Sequence, residues 1–429
     1  MNAKSRNWRT ASPNLVLAML LLVYIFNFLD RMLLSILAVP IKADLGLSDS
    51  EMGLLGGIAF AALYSTLAVP LASLADRTSR SWVIAVSLAV WSGFTAMCGL
   101  AQNFGQIFLA RLGVGIGEAG GVAPSYALIG EYFSSARRAI ALAVYSLGVP
   151  IGSAIGLLAG GFIAQEINWR VAFLVIGLAG VLAAPLFKFI VRDHPDGPAR
   201  AAPAQSKAPG IREVAKTLAR KPSFWLLSLG AASGSTVGYG VSFWMPSFIH
   251  RSFGLDLFDT GLFLATILLT GGVAGMLIGG YLGDRLGAHD RAWYGWVPSL
   301  AFITGAPIMA AGVASDSLPL LFALLVIPQG LNYFWLGPVL TAIQHLVEPA
   351  ARATASSLFL LINNLVGLGG GIYAMGALSD ALAPAFGNEA LRMSIISALS
   401  LYVVASLLMA IAGTKLRRDW VNEHAAVVS

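Results

Sequence analysis

The chain has 429 residues, of which 57% are apolar and only 11% are Asp, Glu, Lys or Arg, with a mean hydropathy of +0.77. A soluble domain carries about 25% charged residues, so a water-soluble globule is excluded, and with it disorder and a collagen-like fibre. Cys98 is the only cysteine, which excludes a disulfide scaffold.

A membrane-crossing helix needs about 20 mostly apolar residues. Twelve stretches meet this in chain order: 14–40, 51–74, 81–101, 104–130, 139–164, 170–191, 223–249, 259–283, 292–312, 317–344, 353–378 and 391–413. Their apolar runs are continuous and do not alternate with a period of two, so they predict helices and not barrel strands. Lys4, Arg6 and Arg9 before the first run imitate a signal peptide. That run resumes after Asp30-Arg31 and reaches Pro40, too long for a signal core, and is read as a retained first helix. The expected fold is an all-α polytopic membrane protein of twelve transmembrane helices in two six-helix bundles.

Charge sets the expected topology. With the N-terminus inside, the inner segments hold 21 Lys and Arg, against four outside: Lys42, Arg170, Arg251 and Arg392. The positive-inside rule then puts both termini in the cytoplasm. Short outer loops and the absence of any N-x-[ST] acceptor point to a prokaryotic inner membrane. The net charge of +6 records this orientation and attraction to lipid headgroups. No nucleic-acid motif accompanies it.

Residues 192–222 form the one long polar connection, Pro/Ala/Gly-rich at first, with 211–221 able to form a short basic amphipathic helix. It divides the chain into a bundle at 1–191, a cytoplasmic linker at 192–222 and a second bundle at 223–429. A motif recurs across the divide. Ala72-Ser73-Leu74-Ala75-Asp76-Arg77 follows the second helix, and Gly280-Tyr281-Leu282-Gly283-Asp284-Arg285 follows the eighth. Paired halves of this kind enclose a midplane site opened alternately to each side.

This layout, with a G-x-L-A-D-R-like loop in each half, resembles the major facilitator superfamily. The first copy departs from the pattern, with Ala72 where glycine is usual. Within the superfamily three stretches are similar to Spinster-type transporters, which are associated with lysophospholipids and sphingolipids. They are Asn27-Phe28-Leu29-Asp30-Arg31, Arg111-Leu112-Gly113-Val114-Gly115-Ile116-Gly117-Glu118-Ala119 and Val149-Pro150-Ile151-Gly152-Ser153-Ala154-Ile155-Gly156. The resemblance implies an inner gate of interfacial charges, Asp76, Arg77, Arg80, Glu131 and Arg137, with Asp284 and Arg285 as their counterpart in the second half.

Sorting every charge by position reaches the same helices. Only Asp30, Arg31, Arg111 and Glu118 fall deep inside a span. Each costs on the order of 2.5–3.5 kcal/mol at a helix centre, so none should face lipid. Arg111 and Glu118 are two turns apart on one face of the fourth helix. At about 1.5 Å per residue, Asp30 in the first helix lies between them in depth. A buried cluster of two acids and two bases follows. It is either a permanent neutral network that fixes packing or a titrating switch, with Asp30 and Glu118 the proton carriers. No histidine competes, since all five lie in loops or at helix ends.

The second half has no charge inside any span. Its mid-span polar and aromatic residues include Tyr239, Phe243, Asn332, Tyr333, Asn363 and Asn364, which either pack helices or line a cavity. A cavity charged on one wall and apolar-aromatic on the other suits an amphipathic anion, its head on Arg111, with Arg31 as rival and Asn27 beside them. The glycine series at 113/117, 148/152/156/160 and 271/275/279 read as close helix packing. There is no Walker A, H-E-x-x-H, G-x-S-x-G or Cys/His cluster. The expectation is a monomeric secondary transporter, not an enzyme, that uses no cofactor or metal and couples an amphipathic anion to protons. A carrier of small organic anions or drug-like solutes is the alternative, and a channel or membrane-embedded enzyme a remote one.

Overall fold

The computed structural model describes residues 12–193 and 210–421. Positions 194–209 of the expected linker, and Lys4, Arg6 and Arg9, lie outside the described residues. Among those described there is no strand, and twelve helical segments are long enough to cross a bilayer. In the first half they are α1 (Pro13–Ile36), α2 (Asp49–Arg77), α3 (Arg80–Cys98), α4 (Phe104–Tyr132), α5 (Ile140–Glu166) and α6 (Trp169–Ile190). In the second they are α7 (Pro222–Phe253), α8 (Leu257–His289), α9 (Trp293–Ala314) and α10 (Leu318–Gln344), then α11 (352–386) and α12 (390–419). Gly387, with φ of 54°, turns the chain between α11 and α12. The short helix Ile211–Ala219 precedes α7 and buries Val214 and Leu218, as its amphipathic pattern predicts.

Glycine is what lets these helices approach. A Cβ on Gly117 would stand 2.5 Å from the Trp91 nitrogen of α3, and one on Gly115 2.5 Å from the Phe60 oxygen of α2. Gly152 and Gly156 press α5 onto the Ile25 and Leu29 carbonyls of α1 in the same way, and Gly271 and Gly275 press α8 onto α10. The three glycine series therefore serve close packing.

Regular helix is interrupted within several spans, and five of these interruptions bear on the site. α2, α8 and α11 each contain a π-helical stretch, at Leu54–Ile58, Leu268–Gly272 and Asn363–Gly370. α4 loosens at 119–121, directly after Glu118. α10, at the matching position of the second half, loosens at 332–335. A widened or opened turn frees backbone groups for other partners, and such turns concentrate at functional sites.

The two halves are fastened on the face opposite the chain termini. Asp49, in the first turn of α2, accepts from Arg251 of α7 at 2.7 and 2.8 Å, from Ser379 Oγ of α11 at 2.8 Å and from Lys42 at 2.6 Å. Asp380 of α11 accepts in return from the Ser50 and Asp49 backbone N–H groups at 2.7 and 3.1 Å. Beside this latch, Gln165 donates to Asp256 at 3.1 Å and accepts from the Phe258 N–H at 3.0 Å, joining α5 to α8.

Candidate functional site

The four buried charges meet within the first half, in an arrangement finer than their depths imply. Arg31 of α1 pairs with Glu118 of α4, its Nε and Nη2 donating to Oε2 at 3.0 and 2.8 Å. Asp30, its neighbour in sequence, points the other way and accepts from Thr95 Oγ1 of α3 at 3.0 Å. Arg111 donates from Nε to the Leu55 carbonyl at 3.3 Å. That carbonyl belongs to the π-helical stretch of α2, so the widened turn is held by the arginine two helices away.

Exposure separates the two arginines. Arg111 is 2% exposed, whereas the Arg31 side chain keeps 11% beside a fully buried Glu118. Rings enclose the Arg31 guanidinium: Phe28 at 5.0 Å, Phe60 at 4.8 Å and Tyr64 at 4.9 Å from ring centroid to carbon. Phe60 also serves Arg111, at 5.4 Å. A ring face stabilises a cation and leaves its edge donors free. The cluster is also incompletely bonded. Asn27, 1% exposed, faces Glu118, yet neither of its polar atoms nor Glu118 Oε1 makes a hydrogen bond of ordinary geometry. A polar group left so in a low-dielectric interior is costly unless another state of the molecule satisfies it.

The six second-half candidates divide. Phe243 is buried with its ring 2.4 Å from where a Gly56 Cβ would stand, so it packs onto the π-helical stretch of α2. Asn363 accepts from Ser235 Oγ at 2.9 Å, and Asn332 accepts from Tyr402 OH at 3.1 Å. These bonds join α7 to α11 and α10 to α12. Tyr239 neighbours Arg31 and Tyr64 across the seam between the halves, and Tyr333 neighbours Tyr239. Asn364 stays half-buried beside Asn363. A void of about 40 Å³ lies against the seam, lined chiefly by apolar residues that include Met32, Met245 and Met309.

The interfacial charges at the terminal face form a local network. Arg80 donates to Asp76 at 2.6 Å and also pairs with Glu131. Arg77, Arg137 and Asp284 are exposed, and exposed Arg285 donates to Tyr281 OH at 2.6 Å.

Sequence reasoning passed over the far-face latch. Its signal was the set of four basic residues set apart from the basic majority. Each of the four has a carboxylate: Lys42 and Arg251 share Asp49, Arg170 pairs with Asp44, and Arg392 with Asp316. The π-helical stretches were missed as well, though a glycine pair, at 56–57, 271–272 and 369–370, lies in each.

Comparison with known proteins gives these features a setting. A family profile described as Major Facilitator Superfamily matches residues 20–371. An MFS-type efflux pump of Mycolicibacterium smegmatis is 36% identical over 407 residues, covering 94% of this chain and 93% of that protein. Protein spinster of Drosophila melanogaster is 28% identical, covering 84% of this chain and 61% of that protein. A bacterial homologue of the human lysosomal transporter Spinster, solved inward-facing and unoccupied, superimposes with a TM-score of 0.85. It is 29% identical, and the match covers 96% of this chain and 99% of that one. The occupied inward-facing form gives a TM-score of 0.81.

Proposed function

This chain belongs to the major facilitator superfamily and is a transporter, not an enzyme; we propose that it couples protons to the movement of an amphipathic anion by alternating access. The Arg31–Glu118 pair carries this reading. Arg31 is the buried cation with access to the seam, and its counter-charge comes from a carboxylate that can take up a proton. An anionic headgroup that replaces Glu118 on Arg31 leaves that carboxylate unpaired in a buried place, where it must protonate. Substrate and proton occupancy are then linked by charge.

The parts take named roles. Arg31 receives the headgroup, with Asn27 and Tyr239 at its edge. Arg111 holds the π-helical stretch of α2 in place and keeps the local charge positive when Asp30 is protonated. Asp30 and Glu118 are the proton sites. The apolar tail enters along the seam toward Met32, Met245 and Met309, whose flexible thioethers accommodate irregular shapes. The unbonded Asn27 and Glu118 Oε1 support a site that changes partners. Similarity to Spinster proteins supports a lysophospholipid or sphingolipid as the amphiphile. The identity to a mycobacterial efflux pump favours export, and leaves a drug-like solute as the second reading.

The far-face latch and the likeness to inward-facing structures support a state closed on that side and opening toward the termini. We assign the termini to the cytoplasm of a prokaryotic cell, on the excess of basic residues there. The Asp76–Arg80–Glu131 network and Arg77, Arg137, Asp284 and Arg285 would then form the cytoplasmic gate. Purified protein in liposomes tests the reading with a lysolipid and with a small carboxylate, each with and without a pH gradient. Accumulation of the lysolipid driven by the gradient is expected. Uptake indifferent to pH would make the protein a uniporter.

A further inference from the structure

A second lipid-shaped feature lies away from the seam, on the membrane-facing side of the first half. α3 and α6 run side by side and leave a groove of about 710 Å³ between them, near their terminal-face ends. That is within the roughly 300–1,000 Å³ of ordinary ligand sites. The sequence builds it on two helix faces. Trp82, Ala85, Val86 and Ala89 recur at the spacing of one side of α3, and Ala184, Pro185, Lys188 and Phe189 on one side of α6. Small residues form the floor. Trp82, 57% exposed, and Phe189, 78% exposed, form the rims.

The polar end of the groove is basic. Lys188 sits in the last turn of α6 with its ammonium 5.2 Å over the Trp82 ring, and donates to Ser81 Oγ at 2.6 Å. Arg192 lines the same end and is exposed. One carboxylate is near, Asp193. Its oxygens are taken up by the Ser81 N–H at 2.9 Å and the Ser79 hydroxyl at the start of α3. Among the described residues no ion pair engages Lys188 or Arg192. Trp82 marks the headgroup level, where amphipathic rings settle.

We propose that this groove is a binding site for an anionic glycerophospholipid of the leaflet on the terminal side. Its phosphate engages Lys188 and Arg192, and an acyl chain lies along Ala85 and Ala89 between Trp82 and Phe189. Charge complementarity selects the headgroup, and the apolar trough selects a lipid over a free phosphate. The site is independent of the transport pathway, since it opens to the bilayer and uses none of the buried charges.

Native mass spectrometry tests it, using protein released from micelles that contain equal amounts of phosphatidylglycerol and phosphatidylcholine with the same acyl chains. The parent should retain phosphatidylglycerol by roughly thirtyfold over phosphatidylcholine, the scale that two basic groups at a leaflet surface supply. Lys188→Gln with Arg192→Gln should erase the preference while transport keeps its pH dependence. Ala89→Phe fills the trough with the charges intact and should lower retention of both lipids. Equal retention of the two lipids by the parent overturns the proposal, and needs no variant to fold. So does a double variant that still prefers phosphatidylglycerol, or an Ala89→Phe protein that retains lipid undiminished.

Discussion

The two halves share a fold but divide the work at their common seam. The first half buries Asp30, Arg111 and Glu118 with Arg31 nearly buried beside them, and spends its hydrogen bonds there on charge. The second half answers with amides and rings whose bonds join its own helices: Ser235 to Asn363, Tyr402 to Asn332, and Trp244 Nε1 to the Ile372 carbonyl at 2.9 Å. Yet both halves open a helix at the same level, α4 after Glu118 and α10 at Asn332. Duplication supplied the geometry of a midplane site twice, and charge was placed in one copy. Coupling should therefore be sensitive to the first half, and shape and stability to the second.

The largest effects should come from the Arg31–Glu118 pair. Glu118→Gln keeps the shape and removes the titration, so ligand should still bind while accumulation against a gradient is lost. Arg31→Ala should lose both ligand binding and stability, because it strands a fully buried carboxylate; breaking such a pair costs about 3–5 kcal/mol. Combining Arg31→Ala with Glu118→Gln should restore much of the lost thermal stability but no binding. Arg111→Ala, by contrast, should spare binding and loosen α2. If Arg111→Ala abolishes binding while Arg31→Ala retains it, the headgroup role passes to Arg111.

Next in size are the fastenings between the halves. Asp49→Asn removes the charge that holds Arg251 and Lys42 but keeps the side-chain volume. Distances between spin labels on the far-face ends of α2 and α11 should lengthen, with ligand preference unchanged. Asp76→Ala should act at the other face, slowing transport by releasing Arg80 to Glu131 alone within that local network. An unchanged distance distribution in Asp49→Asn would reduce the latch to a local helix cap, like the Ser48–Glu51 capping box beside it.

Much of this was legible in the sequence. Twelve apolar runs, the repeated loop motif and the positive-inside bias specify the fold, because a bilayer admits few alternatives. The buried charges were legible for the same reason, since an ion inside a span is conspicuous. Their pairing was not. Depth along a helix follows from 1.5 Å per residue, but which way Asp30 and Arg31 turn depends on how α1 is rotated against α3 and α4. Gly152 and Gly156 set that rotation by seating α5 on α1. The π-helical stretches were hidden because ordinary helix and a widened turn share one apolar pattern. Asp49 was hidden because an acid at a helix start reads as a cap.

The smallest expected effect bears directly on the division between the halves. Asn363 is 2% exposed and lies at the head of the π-helical stretch of α11, its side-chain oxygen taking the Ser235 hydroxyl. Asn363→Ala deletes one buried neutral hydrogen bond and leaves Ser235 to find another acceptor, which costs about 1 kcal/mol. Thermal stability should fall slightly, and ligand affinity should change only as far as α7 and α11 shift against each other. The pH profile of transport should stay that of the parent, because Asn363 does not titrate and its loss leaves Tyr239, the second-half neighbour of Arg31, in place. Measuring uptake by Asn363→Ala from pH 5.5 to 8, beside the parent and Glu118→Gln, decides the matter. A displaced pH profile in Asn363→Ala would mean that the amides of the second half take part in proton transfer, and the division of labour would fail.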